Sequence, residues 1–362
     1  MRVEGRLIGL FSFDVGDEIL LDEVRDLVRE AAPGSLEKRR AAPVHLAYAV
    51  PPLRLPLADR ELPLPGGARA TASTNAWVHE FGAATILLEC PLACEMAALP
   101  ELAAGLTGMP SIEECARGSL AELLARIAPA VVRPEPGAAM MEDYWVVQVD
   151  RFEPPATIDA VLAAHGPELA AAVRGEARPL SGPEADEILR GALRYYPEDL
   201  LLADWNVAFV VDTSWHDAVA ILEFLNVQLV ELRWYDALLD RRIADVGTRA
   251  RGLGRPTFLA RPLHAAIDEL SAVRIDMARI FERIHNSLKL GGDIYLSKVY
   301  AQTAQRLGLE SWERSVARKL EVVQELSSIL AQRAATARAE LLELTIIGLI
   351  AVEIAISLLG RR

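Results

Sequence analysis

Lysine is nearly missing from this chain. Of its 38 basic residues only Lys38, Lys289, Lys298 and Lys319 are lysines; the others are arginines. Cysteine is equally sparse, with Cys90, Cys94 and Cys115 alone. An odd count argues against a disulfide framework and fits a reducing compartment. No Cys or His pair stands near Cys90 and Cys94 at zinc-finger spacing, so both are expected to pack as small apolar residues. The N-terminus, MRVEGRLIGLFSFDVGDE, has charges where a signal peptide needs an apolar run. No Walker A, HExxH or GxSxG pattern occurs, and Gly252-x-Gly254 is too short for a dinucleotide fingerprint. The six histidines are scattered; His79-Glu80 with Cys90 is the nearest approach to a metal set and reads as ordinary core or surface residues. No catalytic residue, cofactor or metal is therefore expected. Positive charge is short overall, with a net charge of −13. The first 260 residues carry −15, residues 261–340 carry +2, and the last 22 sum to zero. An acidic body argues against direct nucleic-acid binding, which needs a basic footprint.

What the chain does have is apolar residues, 52% of 362, a length suited to two or three domains. They concentrate at the end. Leu341–Gly360 is twenty residues with two charges, Glu343 and Glu353. As a helix it spans about 30 Å, the thickness of a bilayer core. Twelve of the twenty are Leu, Ile or Val, each favouring insertion by about 0.5 kcal/mol, against about 3 kcal/mol for Glu353. A single C-terminal membrane span is expected, with the N-terminal bulk cytoplasmic. The rival is a core helix of an oligomer, which is also apolar all round. Glu353, with Ser357 one turn on, and the small residues Gly348, Ala351 and Ala355 are the candidate anchor and assembly residues.

In chain order, Arg6–Phe13 reads as a strand, Ile19–Ala31 as a helix, His45–Val50 as a second strand, Pro51–Gly67 as irregular and Val78–Cys90 as a third strand. Glu95–Gly105 and Ser119–Ala128 read as helices and Asp143–Phe152 as a strong strand. This order is compatible with a ferredoxin-like sandwich. Helices at Thr157–Val173 and Pro183–Tyr195 precede strands within Asp199–Val211. Glu198, Asp199 and Asp204 beside Trp205-Asn206 read as strand-end and turn residues. Long helices follow at His216–Ile243, Leu263–Leu290 and Ile294–Leu307, then a final one from Glu310. In the last, Leu320, Val323, Ser327, Leu330, Ala334, Ala337, Leu341 and Leu344 alternate by three and four, a heptad seam. The expected class is α+β: a soluble domain over 1–213, a helical, coiled-coil domain over 214–340 and a transmembrane helix over 341–360. Asn226 and Arg233, with Glu282 and Asn286 on the next helix, are candidates for a buried polar network between helices.

Several stretches point to a family. FDVGDEI (Phe13–Ile19), YPEDLLLADWN (Tyr196–Asn206), LEFLNVQLVELRWYDALLD (Leu222–Asp240), HNSLKLGGDIYLSKVY (His285–Tyr300) and LLELTIIGLIAVEI (Leu341–Ile354) resemble the "required for meiotic nuclear division" family. That resemblance implies a conserved domain of unknown function, a C-terminal hydrophobic helix, no established catalytic residues, and support of mitochondrial translation by tethering ribosomes at a membrane. Lacking a transit-peptide pattern, the chain reads as a bacterial member. The expected function is a non-enzymatic membrane-anchored scaffold that contacts lipid, itself as a homo-oligomer, and a protein partner. The alternative is an oligomeric cation channel or transporter subunit.

Overall fold

The structure is a computed structural model that describes residues 1–34, 47–48, 50–134, 140–213, 215–252, 271, 288–289 and 294–359. The chain forms two compact units, one of Met1–Trp234 with Arg283–Ser311 and one of Tyr235–Glu282 with Trp312–Arg362.

The first unit is built on a strand of thirteen residues, β1 (Arg2–Asp14). A short β2 (Gly16–Ile19) and α1 (Leu21–Leu27) follow, then the short strands β3 (Ala32–Pro33), β4 (Leu53–Pro56) and β5 (Arg60–Pro63). The hairpin β6 (Arg69–Val78) and β7 (Ala83–Glu95) leads to α2 (Leu99–Leu106) and α3 (Pro110–Ile127). Next come β8 (Val131–Pro134), β9 (Met141–Glu153), α4 (Ile158–Arg174), α5 (Gly182–Arg190), β10 (Leu200–Ala203) and β11 (Val207–Val211). The main sheet runs β10-β11-β9-β1-β7-β6-β4-β3, with β5 also on β6. β1 lies at its centre, antiparallel to β9 and β7 along nearly its whole length. The four central strands, β9-β1-β7-β6, have the split βαβ arrangement. The sheet extends well past them, and β11 joins β9 in parallel.

Strand alternation gives the sheet two buried faces. Leu7, Phe11 and Phe13 of β1 point into a core shared with Trp145, Val147 and Val149 of β9 and with α2, α3 and α4. Ile8, Leu10 and Ser12 are also buried but lie on the opposite face. That face is covered by α6 (Trp215–Gly252), whose Asn226 reaches both Ser12 and the Leu10 carbonyl. A helix-sheet-helix layering explains why β9 reads as an almost unbroken apolar run. Helix α7 (Ile294–Arg306) completes the unit; its Tyr300 hydroxyl donates to Gln228 Oε1 of α6 at 2.9 Å.

In the second unit the end of α6 and helix α8 (Leu309–Leu359) carry the described contacts. Lys319 Nζ lies 2.8 Å from Asp236 Oδ1 and 2.7 Å from Asp240 Oδ2, and Ser315 Oγ donates to Asp236 at 2.8 Å. Val316, Val323 and Leu330, spaced seven apart, are buried. Seven-residue spacing returns a side chain to nearly the same helix face, so these three form a heptad stripe.

Several expectations are corrected. Among the described residues no helix is long and apolar enough to cross a membrane, so the C-terminal transmembrane helix, the single-pass location and the membrane part of the fold class fall. Within the expected span the chain carries Glu343 near one end and Glu353 near the centre, with Arg338 and Glu340 just before it. Charges cost about 2.5–3.5 kcal/mol each near the centre of a span, which offsets much of what the apolar neighbours contribute. Helix α1 covers only seven residues of the expected thirteen: Gly16–Ile19 pairs as a strand with β8 before it, and after it Val28 is already extended and Ala32–Pro33 pairs as β3. Pro51–Gly67 holds two short strands, Leu53–Pro56 between β6 and β3 and Arg60–Pro63 on β6, each with its proline as the last residue. Val78–Cys90 is broken by a turn, with β6 before it and β7 after it. Most of the helix expected at Leu263–Leu290 lies outside the described residues; its end does not stay helical, since Leu288–Lys289 pairs as a short strand antiparallel to Ala47–Tyr48.

Candidate functional site: a buried polar cluster and a bare helix end

Where α6 crosses the sheet, five polar side chains are sealed from solvent: Ser12, Thr85, His79, Glu223 and Asn226 are each at most 3% exposed. Asn226 Nδ2 donates to the Glu142 carbonyl at 2.9 Å and to Ser12 Oγ at 3.0 Å. Ser12 Oγ and Thr85 Oγ1 share a hydrogen bond of 2.9 Å across β1 and β7. His79 Nε2 meets Glu223 Oε1 at 2.9 Å, with Phe81 stacked on the imidazole. The cluster thus bolts one helix to three neighbouring strands and to the β6–β7 turn. Buried polar groups left unpaired cost about 1–3 kcal/mol each, so such a set admits one register of helix on sheet.

One turn further along α6 lies Glu231, 2% exposed. Burial, and then the carboxylates of Asp14 and Asp17, push its carboxyl well above the usual range. The folded state therefore binds this proton more tightly than the unfolded chain does. Stability from this group is full below about pH 4.3, the unfolded value, and declines as pH rises from there toward the folded value. Glu231→Gln removes that decline. Its thermal midpoint is expected to exceed wild type by a few degrees at pH 8, on the order of 1 kcal/mol, and to match it at pH 4. A midpoint shifted equally at both pH values would contradict this assignment.

The expected network is only partly realised. Asn226 is central, but it fixes helix to sheet rather than helix to helix. Arg233 pairs with Glu142 of β9 and is 43% exposed. Glu282 and Asn286 lie outside the described residues. The turn reading of Asp199 and Asp204 agrees with the geometry: Tyr196 N donates to Asp199 Oδ2 at 3.1 Å, and Arg174 Nε lies 3.3 Å from Asp204 Oδ2. Cys90 is buried; burial, helped by Glu89, raises its thiol to about 11, so it stays protonated and packs as a small apolar residue. Sequence reasoning missed Glu223, Ser12 and Thr85. Their only local signal is a polar residue interrupting an apolar run.

Among the described residues no group of three or more His, Cys, Asp or Glu is placed to hold a metal ion. A cleft of about 660 Å³ opens where β9 and β11 end and α4 begins. Open α/β sheets commonly bind ligands at such a place. Here Asp150, Glu153, Asp159 and Glu198 line it, a setting that repels the anions a helix N-terminus would attract. Arg6 engages Asp150 and Arg194 engages Asp159.

The bare helix end is the other unusual feature. Ten Leu, Ile and Val side chains between Leu341 and Ile356 are 41–66% exposed. Gly348, Ala351 and Glu353 are exposed on the same stretch, while the side chains of Ala355 and Ser357 lie outside the described set.

Residues 4–218 match the family model described as "Uncharacterized protein MJ0711, N-terminal domain". The chain belongs to that family. The match spans the sheet and ends at the start of α6, so the MJ0711 N-terminal domain is the layered sheet without the buried stripe of α6 and without α8. The uncharacterized protein MJ0711 of Methanocaldococcus jannaschii is 27% identical over 176 residues, 48% of this chain and 53% of that protein. The chain thus spans about half the length of the curated relative it matches. No solved structure matches. These matches bring an archaeal relative into view and carry no functional name.

Proposed function

We propose that this chain is a non-enzymatic scaffold, in which the sheet unit presents a rigid acidic body and the end of α8 attaches it to protein partners. The observation that supports this most is the exposed apolar stretch Leu341–Ile356. Contiguous bare surface of this kind marks interaction sites. Fully burying a Leu, Ile or Val contributes about 1.5–3 kcal/mol, so covering ten half-exposed ones contributes on the order of 10 kcal/mol. The polar groups of the sheet unit serve its own packing: Asn226, His79 and Glu223 lock α6 in place. A link to ribosome organisation rests on the family resemblance of Phe13–Ile19, Tyr196–Asn206, Leu222–Asp240, His285–Tyr300 and Leu341–Ile354 alone.

A chain ending at Glu340 tests the proposal. Its sheet unit is expected to keep its thermal midpoint, because its core is drawn from residues 3–209. In gel filtration of native lysate the shortened chain is expected to leave the large complex that holds the full chain. Co-elution of both forms would count against the scaffold.

A further inference from the structure

We infer that the end of α8 docks against the same segment of further copies of this chain, forming a water-borne bundle of three or more helices. This rests on the scaffold reading and names its partner. The heptad stripe of Val316, Val323 and Leu330 is buried, and its continuation passes through Leu344 and Ala351, which are exposed. The alternate positions Leu320 and Ser327 continue through Leu341 and Gly348 in the same way. Among the described residues the seam therefore outlasts its cover.

At 100° per residue, the side chains from Ile347 and Ile354, through Leu344 and Leu341, to Leu342, Leu349 and Ile356 sweep an arc of about 240° without a charge. Glu343 and Glu353 both fall in the remaining arc. One neighbouring helix covers roughly the stripe of a two-stranded seam, and a charge-free arc twice that wide needs two neighbours. The two carboxylates then face water. The bare area is on the order of 1,000 Å² per copy, above the roughly 800 Å² that each partner gives to a standard interface. Leu341 and Leu344 followed by Gly348 and Ala351 on one seam pair bulk with small residues, a self-complementary pattern suited to identical partners.

The purified full chain, in buffer without detergent, tests this by mass from analytical ultracentrifugation. At least three times the chain mass is expected. Leu344→Glu, on the seam, is expected to reduce the mass at least threefold, to that of one chain. Ile346→Glu places the same charge one residue pair away, beside the Glu353 face, and is expected to leave the mass unchanged, as is Glu353→Gln. Equal effects of Leu344→Glu and Ile346→Glu, or a full chain of single mass, would overturn the inference. A single-mass full chain whose native complex still depends on residues 341–362 would remove the self-docking and leave the scaffold standing. A full chain that associates only when vesicles are added would overturn it in favour of a lipid occupant.

Discussion

Asn226→Asp is expected to leave the sheet unit unfolded at room temperature. The Glu142 and Leu10 carbonyls around this side chain can only accept hydrogen bonds, which fixes the amide NH2 toward them. Aspartate has the same shape and no donor when ionised. It would set a carboxylate against two carbonyl oxygens in a site with no exposure. Uncompensated buried charge costs about 3–5 kcal/mol, and the lost donations orphan the Glu142 carbonyl at about 1–3 kcal/mol more. A domain of ordinary stability has about 5–15 kcal/mol in total. Asn226→Leu, which removes the charge problem, is expected to lose about 3 kcal/mol and still fold. Urea titration followed by circular dichroism separates the two. Equal stabilities for both variants would show that Asn226 is not a donor there.

Gly82→Ala is expected to be nearly as damaging, for a backbone reason. Gly82 has φ +97°, and a Cβ built on it would lie 1.7 Å from the Gly16 carbonyl oxygen. The β6–β7 turn is latched to the β1–β2 turn at this point: Val15 N donates to the Gly82 carbonyl and Ile19 N to the Glu80 carbonyl, both at 3.0 Å. A methyl group must part the two turns, and His79 on the same turn then loses its place against Glu223. A loss above about 4 kcal/mol is expected, in the range of the most disruptive single changes. Gly118→Ala is the control. It sits in the interior of α3 with nothing within 4 Å of its added Cβ, so it is expected to stabilise by about 0.5–1 kcal/mol. Loss of stability in the control variant too would point to something other than the turn.

Much of the fold is legible in the chain. β1, β9, α4, α6, α7 and α8 all stand where apolar periodicity puts them: the strands and α4, α6 and α7 each bury one or two faces over much of their length, and α8 carries the buried stripe of Val316, Val323 and Leu330. β6 is illegible by comparison. Its sequence, RATASTNAWV, is small and polar, and its strand state comes from pairing with β7 rather than from propensity. The polar cluster was half visible. Asn226 stands out as a polar residue within an apolar helix, yet its partners Ser12 and Glu142 are 214 and 84 residues away. His79 and Glu223 are 144 apart, and no local pattern joins them. The last helix was legible as a helix and misleading as a membrane span. Hydropathy counts its leucines and isoleucines without regard to face, whereas the positions of Glu343 and Glu353 on one side carry the distinction between a helix for lipid and a helix for a bundle.

That distinction is open to one direct measurement, flotation of the purified full chain with lipid vesicles on a density gradient. The chain is expected to stay in the dense aqueous fractions as an assembly, with vesicles present or absent. Flotation with the vesicles, abolished by ending the chain at Glu340, would contradict the account.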